Sequence, residues 1–91
     1  MLARLMTFND REPVDGDDPR VALLRQTVKE TPGFVAGFEL LDDDNGRVYT
    51  LIIGEDGSTH AEIGRRLAAR DESQKLGVDP DEVQMLRAFA F

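Results

Sequence analysis

The chain has 91 residues, of which 18 are acidic and 11 basic, and its formal net charge at pH 7 is −7. This length suits one domain around a single core, so we expect one domain over residues 1–91. The negative charge disfavours nucleic acid as a partner, and the lack of cysteine excludes disulfides and thiolate metal sites. No apolar run approaches the roughly 20 residues of a membrane span. The N-terminus does not resemble a secretion signal, so we expect a cytoplasmic protein.

The first part of the chain predicts a strand followed by a helix. Residues 2–8 are mostly apolar and predict the strand. It is expected to end at Asn9-Asp10 and the turn residue Pro13. Asp18-Pro19 predicts a helix start, because aspartate caps free N–H groups and proline suits the first helical position. Thr31-Pro32-Gly33 predicts its end, since proline cannot continue a helix.

A hairpin follows the first helix. Residues 34–41 and 48–54 are rich in β-branched and aromatic side chains, which favours two strands. They are joined by residues 42–46, where the Asn45-Gly46 pair tolerates the positive φ angles of a tight turn.

The last part predicts a second helix and a final strand. The helix begins near residues 56–58, and its apolar face is formed by His60, Ile63, Gly64, Leu67 and Ala68. It runs to Lys75-Leu76 or breaks near Asp71; the pattern allows both. Residues 83–91 predict the final strand. We place Met6, Phe34, Phe38, Met85, Phe89 and Phe91 in the core.

This order, β-α-β-β-α-β, predicts an α+β fold of the ferredoxin-like type. Right-handed crossovers place both helices on one face of a four-stranded antiparallel sheet.

The hairpin has no polar face, which bears on assembly. We predict that one face packs against the helices: Phe34, Ala36, Phe38, Leu40, Tyr49, Leu51 and Ile53. The other face should meet water in a monomer, yet it carries Val35, Leu41, Val48 and Ile52. An apolar patch of this kind indicates a partner surface, and we predict a homodimer through these four residues.

The residues of positions 31–56 also carry a family resemblance. Thr31-Pro-Gly-Phe34 closes a helix, Gly46-Arg47 follows in the hairpin, and the third strand ends at Gly54-Glu55. This resembles the dimeric α+β-barrel superfamily, and most closely the antibiotic-biosynthesis-monooxygenase-like proteins. The resemblance implies cofactor-independent monooxygenation of a phenolic or polyketide-like small molecule. Many relatives carry tryptophan just after the third strand, where this chain has Gly54.

Few side chains suit catalysis. His60 is the only histidine, so no pair of histidines exists to hold a metal, and we predict no metal site. Its imidazole is a candidate proton acceptor, and the hydroxyl of Tyr49 a candidate hydrogen-bond donor to a phenolic substrate. Phe38 and Gly64 are candidate ligand contacts; Gly64 either leaves room for a ligand or allows close packing. Asn9 is the candidate for the pocket asparagine of several related oxygenases.

Two further questions stay open: what Arg4 and Arg87 bind, and what the chain as a whole does. Arg4 and Arg87 interrupt apolar strands that neighbour each other, and they either converge on an anion or pair with Glu39 or Glu62. There are three hypotheses about the function of the whole chain. It is an oxygenase-like enzyme, a non-enzymatic dimer that binds a small apolar ligand, or a structural dimer without a cavity.

Overall fold

The computed structural model describes residues 1–10, 12 and 16–91, so the predicted turn at Pro13 lies outside the described residues. The elements are β1 (Leu2–Asn9), α1 (Pro19–Glu30), β2 (Phe34–Asp42), β3 (Arg47–Gly54), α2 (Gly57–Ala68), a 3₁₀ turn (Glu72–Gln74) and β4 (Glu82–Arg87). The predicted order β-α-β-β-α-β is confirmed. No helix in these ranges is long and apolar enough to cross a membrane.

The helix ends follow the predicted capping residues. Asp18 caps α1 by accepting the Arg20 backbone N–H at 2.9 Å, and Thr31 ends the helix. α2 stops at Ala68, so the longer of its two predicted extents is wrong and the break before Asp71 is confirmed. The hairpin turn spans residues 43–46, with Gly46 at a φ of 62°.

The four strands form one antiparallel sheet in the order β2-β3-β1-β4. The two helices lie on one face, which we call the helix side; the opposite face is called the open face. The core lies on the helix side, where Val28 of α1, Ile63 of α2 and Ile52 of β3 form one buried cluster. Met6 and Phe34 pack against this cluster, as predicted for both.

The predicted assignment of the two hairpin faces is wrong. A β-bulge between Phe34 and Ala36 adds a residue to β2, so Phe34 lies on the helix side and Ala36 on the open face. Glu39 lies on the helix side, where it forms a salt bridge with Arg25 of α1 at 2.9 Å. The open face of the three paired strands therefore carries Leu5, Ala36, Phe38, Leu40, Tyr49, Leu51 and Ile53.

The same reversal changes the predicted dimer surface. Val48 and Ile52 are buried on the helix side, and Leu41 shares that side because its partner in the register is Val48. These three residues do not form an outer patch. The prediction of a homodimer does not depend on these three residues, because the open face also carries exposed apolar side chains.

The C-terminal prediction also needs correction. β4 ends at Arg87, and residues 88–91 are not strand. Phe89 is 77 % exposed, Phe91 is fully exposed and Met85 is 47 % exposed, so none of these three belongs to the core. β4 is one of the two edge strands of the sheet, and all six of its residues are exposed.

Glu62 on α2 gives a prediction about acid stability. It accepts hydrogen bonds from Arg65 and Arg66, and these lower its pKa from 4.5 to about 2. Because the folded pKa lies below the unfolded one, the stabilisation is present above pH 4.5 and is lost as the pH falls toward 2. We expect Glu62→Gln to reduce the rise of the urea midpoint between pH 2 and 4.5, measured beside wild type.

Glu72→Gln is the control for this measurement, because the Glu72 side chain is 89 % exposed and its ion pair with Lys75 is solvated. It should leave the pH slope unchanged. Equal slopes in wild type and Glu62→Gln would contradict the prediction.

Candidate functional site

The first turn of α2 is fixed by its cap. The Asp56 Oδ1 atom accepts hydrogen bonds from the Ser58 hydroxyl at 2.8 Å and from the Thr59 backbone N–H at 3.0 Å. These bonds lower the pKa of Asp56, the Ser58 hydroxyl having the largest effect. The cap orients Thr59 and His60 toward the sheet, where both are buried.

Two glycines let this turn approach the sheet closely. A Cβ atom on Gly54 would lie 2.9 Å from Thr59 Cγ2 and 3.3 Å from His60 Nε2. A Cβ atom on Gly33 would overlap Thr59 Oγ1. A tryptophan at position 54, as in many relatives of the resembled family, therefore does not fit this arrangement. Thr59 was not singled out from the sequence, although its place after a capping aspartate could have indicated it.

His60 is held against the start of β1. Its side chain is 7 % exposed, and Nε2 lies 2.8 Å from the backbone carbonyl oxygen of Leu2. A carbonyl only accepts hydrogen bonds, so Nε2 carries the proton. The neutral ring then has its free lone pair on Nδ1, which has no partner among the described residues. His60 is therefore an oriented side chain with one nitrogen able to accept a proton.

Gly64 lies one helical turn beyond His60, with open space beside it. A Cβ atom there would meet no atom within 4 Å, so close packing does not require this glycine. Arg66, on the flank of α2 toward α1, donates to the carbonyl of Glu30 at 3.4 Å. Helical spacing places His60 and Gly64 on the other flank, toward β1.

The floor beside this flank is the helix side of β1 and β4. The strand register places Arg4 and Met6 of β1 there with Met85 and Arg87 of β4, because Arg4 pairs with Ile52 and Met85. Since Leu67 of α2 packs in the cluster with Met6, α2 runs in the direction of β1. We call this region the Arg4 surface and define it as Arg4, Met6, Met85 and Arg87 with His60 and Gly64.

The structure separates the predicted site residues. His60 and Gly64 lie on the helix side, whereas Tyr49 and Phe38 lie on the open face, so the predicted placement of Tyr49 and Phe38 under the helices is wrong. Tyr49 and His60 cannot contact one substrate within a subunit. Asn9 ends β1 at the far end from Leu2, about 23 Å away at 3.3 Å per residue. Its backbone N–H donates to Asp81 at 2.7 Å.

The described residues include two shallow surface clefts. One, of about 440 Å³, lies on the outer surface of α1 beside Arg25 and Lys29; the other, of about 110 Å³, lies at the hairpin turn. None of the five predicted site residues lines either cleft. In the part of the chain that the structure describes, no three His, Cys, Asp or Glu side chains are grouped as metal ligands.

Comparison with known proteins places this fold among solved structures. A crystal structure described as a "putative Antibiotic biosynthesis monooxygenase from Chloroflexus aurantiacus J-10-fl" matches with a TM-score of 0.60 at 10 % sequence identity. The match covers 99 % of this chain and 94 % of that one. What the two chains share is the fold. No protein-family model and no curated protein matches this chain.

Proposed function

We propose that the protein is a homodimer joined through the open face of its sheet, and that it oxygenates an electron-rich phenolic or polyketide-like molecule without a cofactor. The composition of the open face supports the dimer. The oriented imidazole of His60 on the Arg4 surface supports the chemistry, together with the fold shared with the structure described as a "putative Antibiotic biosynthesis monooxygenase".

The open face is apolar across its centre. Leu51 lies in the middle of it, between Leu5 of β1 and Phe38 of β2. Phe38 is 53 % exposed, and Leu40 and Leu86 are also exposed there. An antiparallel sheet normally presents polar side chains to water on the face opposite its helices. Burying each large apolar side chain contributes about 1.5–3 kcal/mol, which favours a covered face.

A second copy of the chain is the occupant that suits this face best. The charged side chains that the register places on it lie at its margin, such as Glu82, which pairs with Thr7 at the end of β1. A flat apolar sheet can meet its own copy across a twofold axis, and both copies are then covered by the same contacts. In this dimer the Tyr49 and Phe38 side chains contribute to the interface.

The proposed chemistry needs one proton acceptor. The Nδ1 atom of His60 takes a phenolic proton from the substrate, and the resulting anion donates electrons to O₂. For a substrate with a methylene group between two aromatic rings, O₂ supplies one oxygen atom to form a ketone. The other oxygen atom leaves as water with the two methylene hydrogens, so the substrate supplies all the electrons.

Oxygen uptake with 1,8-dihydroxyanthrone tests the activity. We expect wild type to consume one O₂ for each anthrone oxidised, at a rate above the protein-free reaction. His60→Gln keeps an N–H donor for the Leu2 carbonyl but removes the base, so we expect a rate about 100-fold lower. Tyr49→Phe should leave the rate unchanged, because its side chain lies on the opposite face of the sheet.

The outcomes separate the three readings of the function. Anthrone binding without oxygen uptake would contradict the enzymatic proposal and favour a dimer that only binds. The absence of both anthrone binding and oxygen uptake would favour a structural dimer. A rate that depends on Tyr49 but not on His60 would contradict the role assigned to His60.

A further inference from the structure

We propose that Arg4 and Arg87 together form an anion site that binds the carboxylate of a small aromatic acid on the Arg4 surface. The proposal rests on the proposed function in one respect, since it names the ligand class of the same surface. Binding is measured without turnover, so the two can fail independently.

Arg4 carries a donor that lacks a partner. Its Nε atom is buried and makes no hydrogen bond. Arginine has five N–H donors in a planar array, and buried donors in proteins are nearly always paired with protein, water or a bound ion. Arg70 has the same orphaned Nε, but its Nη2 donates to the Gln74 carbonyl at 2.9 Å, so that side chain already bridges the loop after α2.

Arg87 brings a second positive charge to the same place. In the β1–β4 register Arg4 is opposite Met85, so Arg87 is its diagonal neighbour on the helix side, at a Cα separation of about 7–8 Å. The Arg87 guanidinium lies 5.9 Å from the centre of the Phe89 ring. This cation–π contact places an exposed aromatic ring beside Arg87.

The acidic side chains expected to neutralise these arginines are engaged elsewhere. Glu39 pairs with Arg25, and Glu62 pairs with Arg65 and Arg66, so the predicted ion pairs of Arg4 and Arg87 with these glutamates are wrong. Among the described residues no carboxylate forms a salt bridge with either arginine. Two arginines on one face without a carboxylate partner, in a chain of net charge −7, point to an external anion.

The surroundings determine what kind of anion fits. A carboxylate can accept two parallel N–H bonds from one guanidinium and further bonds from another. Met6 and Met85 border the arginines with flexible thioether side chains, which favour contact with aromatic rings. The open space at Gly64 lies about 6 Å along α2 from His60. An aromatic carboxylate satisfies both the charge and the apolar floor.

Calorimetric titration with 2-naphthoate tests the site, with 2-naphthamide as its neutral analogue. We expect wild type to bind 2-naphthoate at least tenfold more tightly than the amide. Arg4→Gln and Arg87→Gln should each weaken 2-naphthoate binding at least tenfold and leave amide binding unchanged. Arg65→Gln is the matched control, since it removes the same charge from the exposed surface of α2 and should bind as wild type does.

Nitrogen-15 NMR of the arginine side chains gives a second readout that needs no variant. The Nε–H signal of Arg4 should shift on adding 2-naphthoate and stay in place with the amide, which decides the matter even if Arg4→Gln fails to fold. Equal binding of acid and amide, or an unmoved Arg4 signal, would overturn the proposal. If the protein fails these binding tests but consumes oxygen with the anthrone, the proposed chemistry is supported and only the anion site is wrong.

Discussion

Leu51→Lys is expected to convert the protein from a dimer to a folded monomer. Leu51 lies at the centre of the open face, between Leu5 and Phe38, so a twofold dimer brings two new charges close together. The lost apolar burial and the buried charge should raise the dimer dissociation constant by about 100-fold or more. Size-exclusion chromatography at micromolar concentration measures the change, and circular dichroism checks that the monomer is folded.

Leu41→Lys is the matched control for that experiment. Leu41 lies on the neighbouring strand and is 50 % exposed, but it is on the helix side. It should remain dimeric. A monomeric Leu41→Lys beside a dimeric Leu51→Lys would contradict the open face as the interface and return the interface to the face predicted from the sequence.

Gly33→Ala is expected to destabilise the fold by about 3 kcal/mol or more, since a forced overlap is added to a strained backbone angle. Gly33 has a φ of 91°, which residues with a side chain seldom adopt. A Cβ atom there would also overlap the Thr59 hydroxyl, which is buried under the first turn of α2. Urea unfolding followed by circular dichroism measures the loss.

Gly77→Ala separates the two causes. Gly77 has a φ of 67°, but a Cβ atom on it would meet no atom within 4 Å. It should cost only about 1 kcal/mol, the effect of the backbone angle alone. Replacing Thr59 by alanine in the Gly33→Ala protein should recover part of the lost stability. Equal losses for the two glycines would contradict the close contact between Gly33 and α2.

Most of the fold follows from local signals in the sequence. The Asp18-Pro19 start and the Thr31 end of α1 are each set by a capping or proline effect that acts within a few residues. The two hairpin strands were predicted from their composition, and their pairing follows from the short turn. Such signals place the elements, and right-handed crossovers then leave few arrangements of a β-α-β-β-α-β chain.

The two sides of the sheet could not be assigned by the same reasoning. Both faces of the hairpin are apolar, so polarity does not distinguish them, and the more completely apolar set was placed against the helices. The bulge after Phe34 reverses which side chains of the rest of β2 face the helices. Nothing in the sequence around Val35 indicates a bulge there. The bulge therefore puts Phe38 on the face opposite Phe34, and Tyr49 lies on the same open face because it pairs with Leu40 of β2.

The candidate site was predicted in part. His60 and Gly64 follow from helical spacing, and they do lie on the flank of α2 beside β1. The pairing of each arginine could not be predicted, because it depends on which glutamates the folded chain leaves free. Glu39 pairs with Arg25 because its side chain lies on the helix side and not on the outer face.

Sedimentation equilibrium of the wild-type protein tests the central claim most directly, since the proposed dimer covers the open face with a second copy. Over a range of micromolar concentrations we predict a species of twice the 10.2 kDa chain mass. A mass of 10.2 kDa at every concentration would contradict the proposed dimer, because it would leave the Leu51 face uncovered in solution.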